Sequence, residues 1–265
     1  MLEDWKTENV HPPFQHSTIP TFHPFAAISS DPRGWPTTKR ACIKLSEYDS
    51  ILHMQTLTEI AVEKAREGIF TRLEAACWIN GGDDRLNALI KRAVGSREVW
   101  RICRGLYCLD RRHLRTPVNP LSLAQHIYGP SYISLESALS HHGWIPEAVY
   151  TITSASMKRS RSFETPLGPF SFVRIPQSRF FGGVSRIETG GGRSFLMADP
   201  LKALADYVCA HNCRWTSADP VIDSLRVDEQ SLGELKSADF DLLVGHYRAA
   251  NVQRFLEGLR RDLKR

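Results

Sequence analysis

The chain contains no run of about 18 apolar residues, the length a membrane span requires. Its opening residues also lack the basic segment and apolar core of a secretory signal. A cytoplasmic protein with no membrane partner is therefore the expectation. There is no G-K-[ST] phosphate loop, no C-x-x-C or H-x-x-x-H pair, no repeat at a fixed period, and no serine or cysteine in a context that marks a nucleophile. These absences argue against an enzyme and against a bound cofactor or metal. The six cysteines, in a chain without a secretory signal, are expected to be reduced thiols rather than a disulfide framework. Cys77, Cys103 and Cys108 each stand beside apolar neighbours and are read as buried. Cys209, His211 and Cys213 form C-x-H-x-C, one ligand short of the four that structural zinc takes.

What is present is a globular composition, 42% hydrophobic and 24% charged, in 265 residues, enough for one large domain or two small ones. The net charge of +5 favours a polyanionic partner only weakly, so the placement of the charge matters more than its total. The informative stretch is 71–109. Thr71 followed three residues later by Glu74 is a reciprocal capping pair, which predicts a short helix over 72–78. Asn80-Gly81-Gly82 then breaks the chain. Asp83 and Asp84 stand where a second helix would begin, and Leu86, Leu89, Ile90 and Ala93 follow at the spacing of a buried stripe. Its other face carries Arg85, Asn87, Ala88, Lys91 and Arg92. A hairpin is expected next, 99–104 and 106–109 about Gly105.

Two short helices about a glycine turn, the second basic outside, then a hairpin, read as a winged helix-turn-helix. Residues 71–115 hold ten Lys and Arg against five acids, a surplus of five. Such a surface releases counterions on binding a duplex, so affinity should fall steeply with salt. Arg85 and Asn87, early in the helix, are placed to read bases, and Lys91, Arg92, Arg104 and Arg111 to hold phosphates. The competing readings are a protein-binding winged helix and a metal-dependent nuclease built on Glu234-Leu235-Lys236 with Asp219 and Asp223 upstream. The acid-x-Lys pattern is short, and it falls in a stretch that reads as helical rather than on the sheet such a site requires.

Along the chain, residues 1–53 carry scattered prolines and no pattern, and are expected to form a disordered or loosely packed arm. Met54 precedes the first amphipathic helix, 57–66, and is a candidate start of translation. Residues 54–116 then form the DNA-binding domain, 117–120 a linker, and 121–265 a second, α+β domain. In that domain helices are expected at 121–127 and 135–142. Strands follow at 149–153, 163–165 and 170–175, then 184–188 and 194–197 about the Gly190–Gly192 turn. Helices at 200–208, 240–247 and 252–263 complete it. The fold class is thus α+β, a winged helix-turn-helix followed by a mainly antiparallel sheet with C-terminal helices. Residues 157–193 carry a second basic surplus that includes Lys158, Arg159, Arg161 and Arg174, and would extend phosphate contact or meet an RNA.

At 128–139 (YGPSYISLESAL) and 158–168 (KRSRSFETPLG) the chain resembles the AbiEi family, the antitoxins of type IV toxin–antitoxin (abortive infection) systems. Arg104-Gly105-Leu106-Tyr107 is also similar to that family's usual form, and the likeness spans about 57–209. It implies a two-domain autorepressor whose winged helix binds inverted repeats of double-stranded DNA in its own promoter. It also implies a C-terminal antitoxin domain, countering a nucleotidyltransferase-like toxin from the adjacent gene without a stable complex. The family has no catalytic residues to transfer. Its DNA contacts would fall on Arg85, Asn87, Lys91 and Arg92, with Arg104 and Tyr107 supporting. The N-terminal extension is foreign to the family's pattern.

Overall fold

The computed structural model describes residues 55–189 and 194–264. The arm over 1–53, the start at Met54 and the glycine turn with Arg193 lie outside them. No described helix is long and apolar enough to cross a membrane.

The first part is built from local signals. Helix α1 (Leu57–Lys64) opens on a Thr56/Glu59 capping box and buries Leu57, Ile60 and Ala61. Strand β1 (Ile69–Thr71) leads into α2 (Arg72–Trp78), whose predicted Thr71/Glu74 capping box is present in both directions. Helix α3 (Asp83–Gly95) buries Leu86, Ile90 and Ala93. The hairpin β2 (Val99–Cys103) and β3 (Leu106–Leu109) follows, and β1 joins it as a third antiparallel strand in the order β1-β3-β2. The third strand is an addition to the expected pattern, since three residues are too few to show alternation.

The second part is a six-stranded sheet with helices. A 3₁₀ turn over Pro120–Leu123 runs into α4 (Ala124–Ile127), then β4 (Ser131–Ile133) and α5 (Leu135–His141). Strands β5 (Ile152–Ser156), β6 (Arg161–Thr165), β7 (Gly168–Arg174), β8 (Val184–Glu188) and β9 (Ser194–Ala198) complete the sheet, in the order β6-β7-β5-β4-β9-β8. Helices α6 (Pro200–Ala210), α7 (Asp219–Leu225), α8 (Glu229–Gly233), α9 (Ser237–Leu243) and α10 (Ala250–Asp262) close the chain. The α+β class holds, with corrections inside it. The sheet is mainly antiparallel as expected, in three of its five pairings, but it carries two parallel ones, β5 with β7 and β4 with β9. The strand expected at 149–153 lies at Ile152–Ser156, with Tyr150 exposed, and the helix expected at 240–247 ends at Leu243.

The small three-stranded sheet contributes residues to two separate buried clusters. Phe70, Tyr107 and Leu109 face α1 and α3, whereas Ile69, Leu106 and Cys108, on the opposite side of the same small sheet, belong to the larger core with Ile102. Alternation along strands therefore gives the small sheet two buried faces.

Beneath the large sheet lies a sealed polar cluster centred on α6. Asp206 accepts hydrogen bonds from Tyr132 Oη (2.7 Å), Ser134 Oγ (2.7 Å), Tyr247 Oη (2.6 Å) and Gln177 Nε2 (3.2 Å). One turn earlier, Lys202 Nζ lies 3.9 Å from the carboxylate, donates to Gln177 Oε1, and sits 4.8 Å from the Tyr247 ring centroid. Lys202 and Asp206 are both buried, so each charge depends on these partners.

Burial and the Asp206 carboxylate push both Tyr132 and Tyr247 well above the ordinary tyrosine value of 10.0. A raised phenol contributes stability that is complete below the unfolded value and lost as pH rises past it. Lys202 is lowered from 10.5 by burial, so its contribution runs the other way and offsets part of the fall. Stability measured by urea unfolding is therefore expected to hold to about pH 9.5 and fall steeply toward pH 11. Tyr132→Phe should flatten that fall; an equally steep fall in the variant would place the alkaline transition elsewhere.

Candidate nucleic-acid interface

The turn before α3 needs Gly81, whose φ of +134° lies where side chains are rarely tolerated; a Cβ there would also come within 2.8 Å of Arg85 Cδ. Beyond it, the inward stripe of α3 sets the helix rotation. Arg85, Asn87, Ala88, Lys91 and Arg92 are consequently all exposed on one side. The Arg85 guanidinium donates to the Asn80 carbonyl (2.8 Å), which ties the helix to its own turn. Arg72, on α2, donates to both Asp83 Oδ1 and Asn87 Oδ1 at 3.1 Å. Sequence reading missed that contact, because its partners lie 11 and 15 residues away across a turn.

The hairpin contributes unevenly. Arg104 is exposed at its tip, beside Gly105 (φ +81°), Arg101 is exposed on β2, and Arg111 is exposed just past the base of β3. Tyr107 does not join this surface, and its expected supporting role is corrected. It is 6% exposed and stacks on Phe70 with ring centroids 5.6 Å apart, because its place in the alternation of β3 turns it toward the helices.

Four of the five acids in this stretch are engaged locally. Glu74 closes the α2 capping box and Asp83 is held by Arg72. Glu98 accepts from Thr58 Oγ1 at 2.8 Å. Asp110 accepts from Arg112 Nε and Trp100 Nε1, both at 2.8 Å. The Arg112 side chain, its backbone N–H and the Trp100 indole together hold the Asp110 carboxyl down to about 2. The negative charges are thus used to fasten the hairpin and helices, while Lys91 and Arg92 face outward.

The second basic surface is present on the edge hairpin of the large sheet. Lys158, Arg159, Arg161 and Arg174 are all exposed. Lys158 Nζ lies 5.3 Å from the Tyr128 ring centroid, and the Arg161 guanidinium 4.9 Å from that of Phe163. Tyr128 Oη donates to the Arg159 carbonyl (3.0 Å), fixing the loop that carries them.

The residues weighed for metal chemistry are dispersed. Glu234 and Lys236 lie between α8 and α9 rather than on the sheet, and Asp219 begins α7. Among the described residues no group of three or more His, Cys, Asp or Glu is placed to hold a metal ion. His211 instead pairs with Glu136 Oε1 (3.2 Å) and lies against the Tyr207 ring. The buried-thiol expectation holds for Cys108 and is corrected for Cys77, which is exposed on the outer side of α2, and for Cys103, which is half-buried. His142 Nε2 is within hydrogen-bond distance of the Ala198 carbonyl (2.9 Å), where it braces α5 against β9.

No protein-family model matches the chain, and no curated protein matches it.

Proposed function

We propose that this protein is a sequence-specific DNA-binding repressor whose N-terminal part acts as a winged helix-turn-helix. In this reading α3 is the recognition helix and β2–β3 the wing. The observation that carries it is the outer side of α3, where Arg85, Asn87, Lys91 and Arg92 stand exposed while most acids of the stretch are engaged elsewhere; Arg104 at the hairpin tip and Arg111 after β3 are exposed as well. Arg85 and Asn87 would meet base edges, and Lys91, Arg92, Arg104 and Arg111 would hold phosphates. The resemblance of residues 128–139 and 158–168 to the AbiEi antitoxins extends the proposal. The chain would repress its own operon and counter a nucleotidyltransferase-like toxin encoded beside it, without a stable complex.

A gel shift on the duplex upstream of the chain's own gene tests the DNA half. The wild-type chain is expected to bind with a steep loss across a few-fold rise in salt. Asn87→Ala should relax the requirement at one base position, at a cost of about 1–3 kcal/mol, whereas Lys91→Ala should weaken all sequences alike. Promoter binding untouched by either substitution would remove α3 from the groove. For the antitoxin half, co-expression with the adjacent gene product should restore growth that the product alone arrests.

A further inference from the structure

Arg72 stands on α2, yet the work of its guanidinium is done on α3. Nη2 donates to Asp83 Oδ1 and to Asn87 Oδ1, each at 3.1 Å. A guanidinium carries five donors and no acceptor, so the atom of Asn87 that faces it must be the amide oxygen. The NH₂ group then points away from α2, and among the described residues it donates to nothing. Without this tether Asn87 would be an exposed side chain, free to rotate about its χ angles and to present either end of its amide.

We propose that Arg72 is a specificity-determining positioning residue: by holding the amide oxygen of Asn87 it fixes which end of that side chain α3 presents to DNA. This rests on the DNA-binding reading above and deepens it. An outward NH₂ group demands a hydrogen-bond acceptor on the major-groove edge of the base, which purines offer at N7 and cytosine, with its N4 donor, does not. Adenine satisfies both ends of the amide, because the second lone pair of Oδ1 remains available to its N6–H. The same guanidinium balances Asp83 in the first turn of α3, where an unpaired carboxylate would repel the approaching phosphates. Arg72 therefore acts through α3, its charge already committed to Asp83, and it is not itself counted among the phosphate contacts.

The test uses the full chain and a duplex library with a randomised core, selected first with wild type. Arg72→Met, which keeps the length of the stem and removes the donors, is compared with Arg72→Ala, Asn87→Ala and the Arg72→Met/Asn87→Ala pair. The wild-type profile should contain one adenine position preferred by about 5- to 150-fold, the range expected of a single bidentate amide contact. Asn87→Ala should flatten that position. Arg72→Met should flatten the same one while leaving the others sharp, beside a uniform weakening from the Asp83 carboxylate it leaves unpaired, and the double variant should be no less selective at that position than Asn87→Ala alone.

Two outcomes overturn the proposal. In one, the adenine preference survives Arg72→Met and Arg72→Ala intact. In the other, all sequences weaken together with the adenine position as sharp relative to the rest as in wild type and the salt slope falls by about one, the behaviour of a plain phosphate contact. Melting curves on each variant separate either result from a loosened α2. A wild-type chain that selects no sequence at all refutes the DNA-binding reading itself, and does so before any variant is made.

Discussion

Asp206→Ala is expected to destabilise the protein by about 3–5 kcal/mol, the cost of removing one partner from a buried charge pair. Four donors now converge on that carboxylate: the Tyr132 and Tyr247 phenols, the Ser134 hydroxyl and the Gln177 amide. Alanine leaves the two phenols and the Ser134 hydroxyl buried without their acceptor, and leaves Lys202 buried with its carboxylate gone. In a chain of this size the loss corresponds to a melting point lowered on the order of 10 °C. The effect should be far from additive with Lys202→Met. Removing both charges takes away the unpaired ion as well, so the double variant is expected to melt above Asp206→Ala. Urea unfolding of the three variants checks this. An Asp206→Ala protein within about 2 °C of wild type would show that the cluster carries little of the fold's stability.

That cluster also shows where reading the sequence stops. Lys202 and Asp206 stand one turn apart on a helix whose apolar stripe, Leu201, Leu204, Ala205 and Val208, is plain in the sequence. Nothing local says that both are buried, because the groups that make burial tolerable come from residues 132, 134, 177 and 247. By contrast, α2 and α3 were legible almost to the residue, since a capping box and an i, i+3, i+4 stripe are complete within one or two turns. The hairpins β6–β7 and β8–β9 were legible for the same reason. Strand β4 was not: Ser131, Tyr132 and Ile133 are buried on both faces, so no alternation marks them. The two parallel pairings are equally hidden, because neither joins strands consecutive in the chain: β6 intervenes between β5 and β7, and four strands between β4 and β9.

The site divides along the same line. Lys91 and Arg92 were placed outward by the stripe they avoid, and they are exposed. The family likeness places Tyr107 at the interface, yet it says only that a tyrosine follows the turn, not which side of β3 it occupies. A single residue of register decides that, and Phe70 receives the ring. Arg72 is visible in the sequence as one of the ten basic residues of 71–115, but its partners Asp83 and Asn87 lie on a helix beyond the turn and are not legible there.

The Lys91→Glu/Arg92→Glu pair should lower affinity for the promoter duplex by about a hundredfold or more near 0.1 M salt, with the gap narrowing as salt rises. Both side chains lie on the exposed side of α3, opposite Leu86, Ile90 and Ala93, so the change leaves the core intact. Surface substitutions of this kind stay within about 0.5 kcal/mol in stability, and the melting point should barely move. The decisive quantity is the slope of log affinity against log salt. Two lost phosphate contacts reduce its magnitude by about 1.8, a change that a refolded or merely loosened helix would not produce in isolation. The matching pair Lys158→Glu/Arg161→Glu, on the edge hairpin of the large sheet, asks whether both basic surfaces meet one duplex. If they do, its slope falls comparably and combining the four substitutions adds the two reductions. If only α3 and the hairpin β2–β3 bind, the second pair leaves the slope alone, and the cation–π contacts with Tyr128 and Phe163 serve another partner. An unchanged slope in the first pair would leave the outer side of α3 with no phosphate to hold, and the protein-binding use of this module would take precedence over the repressor.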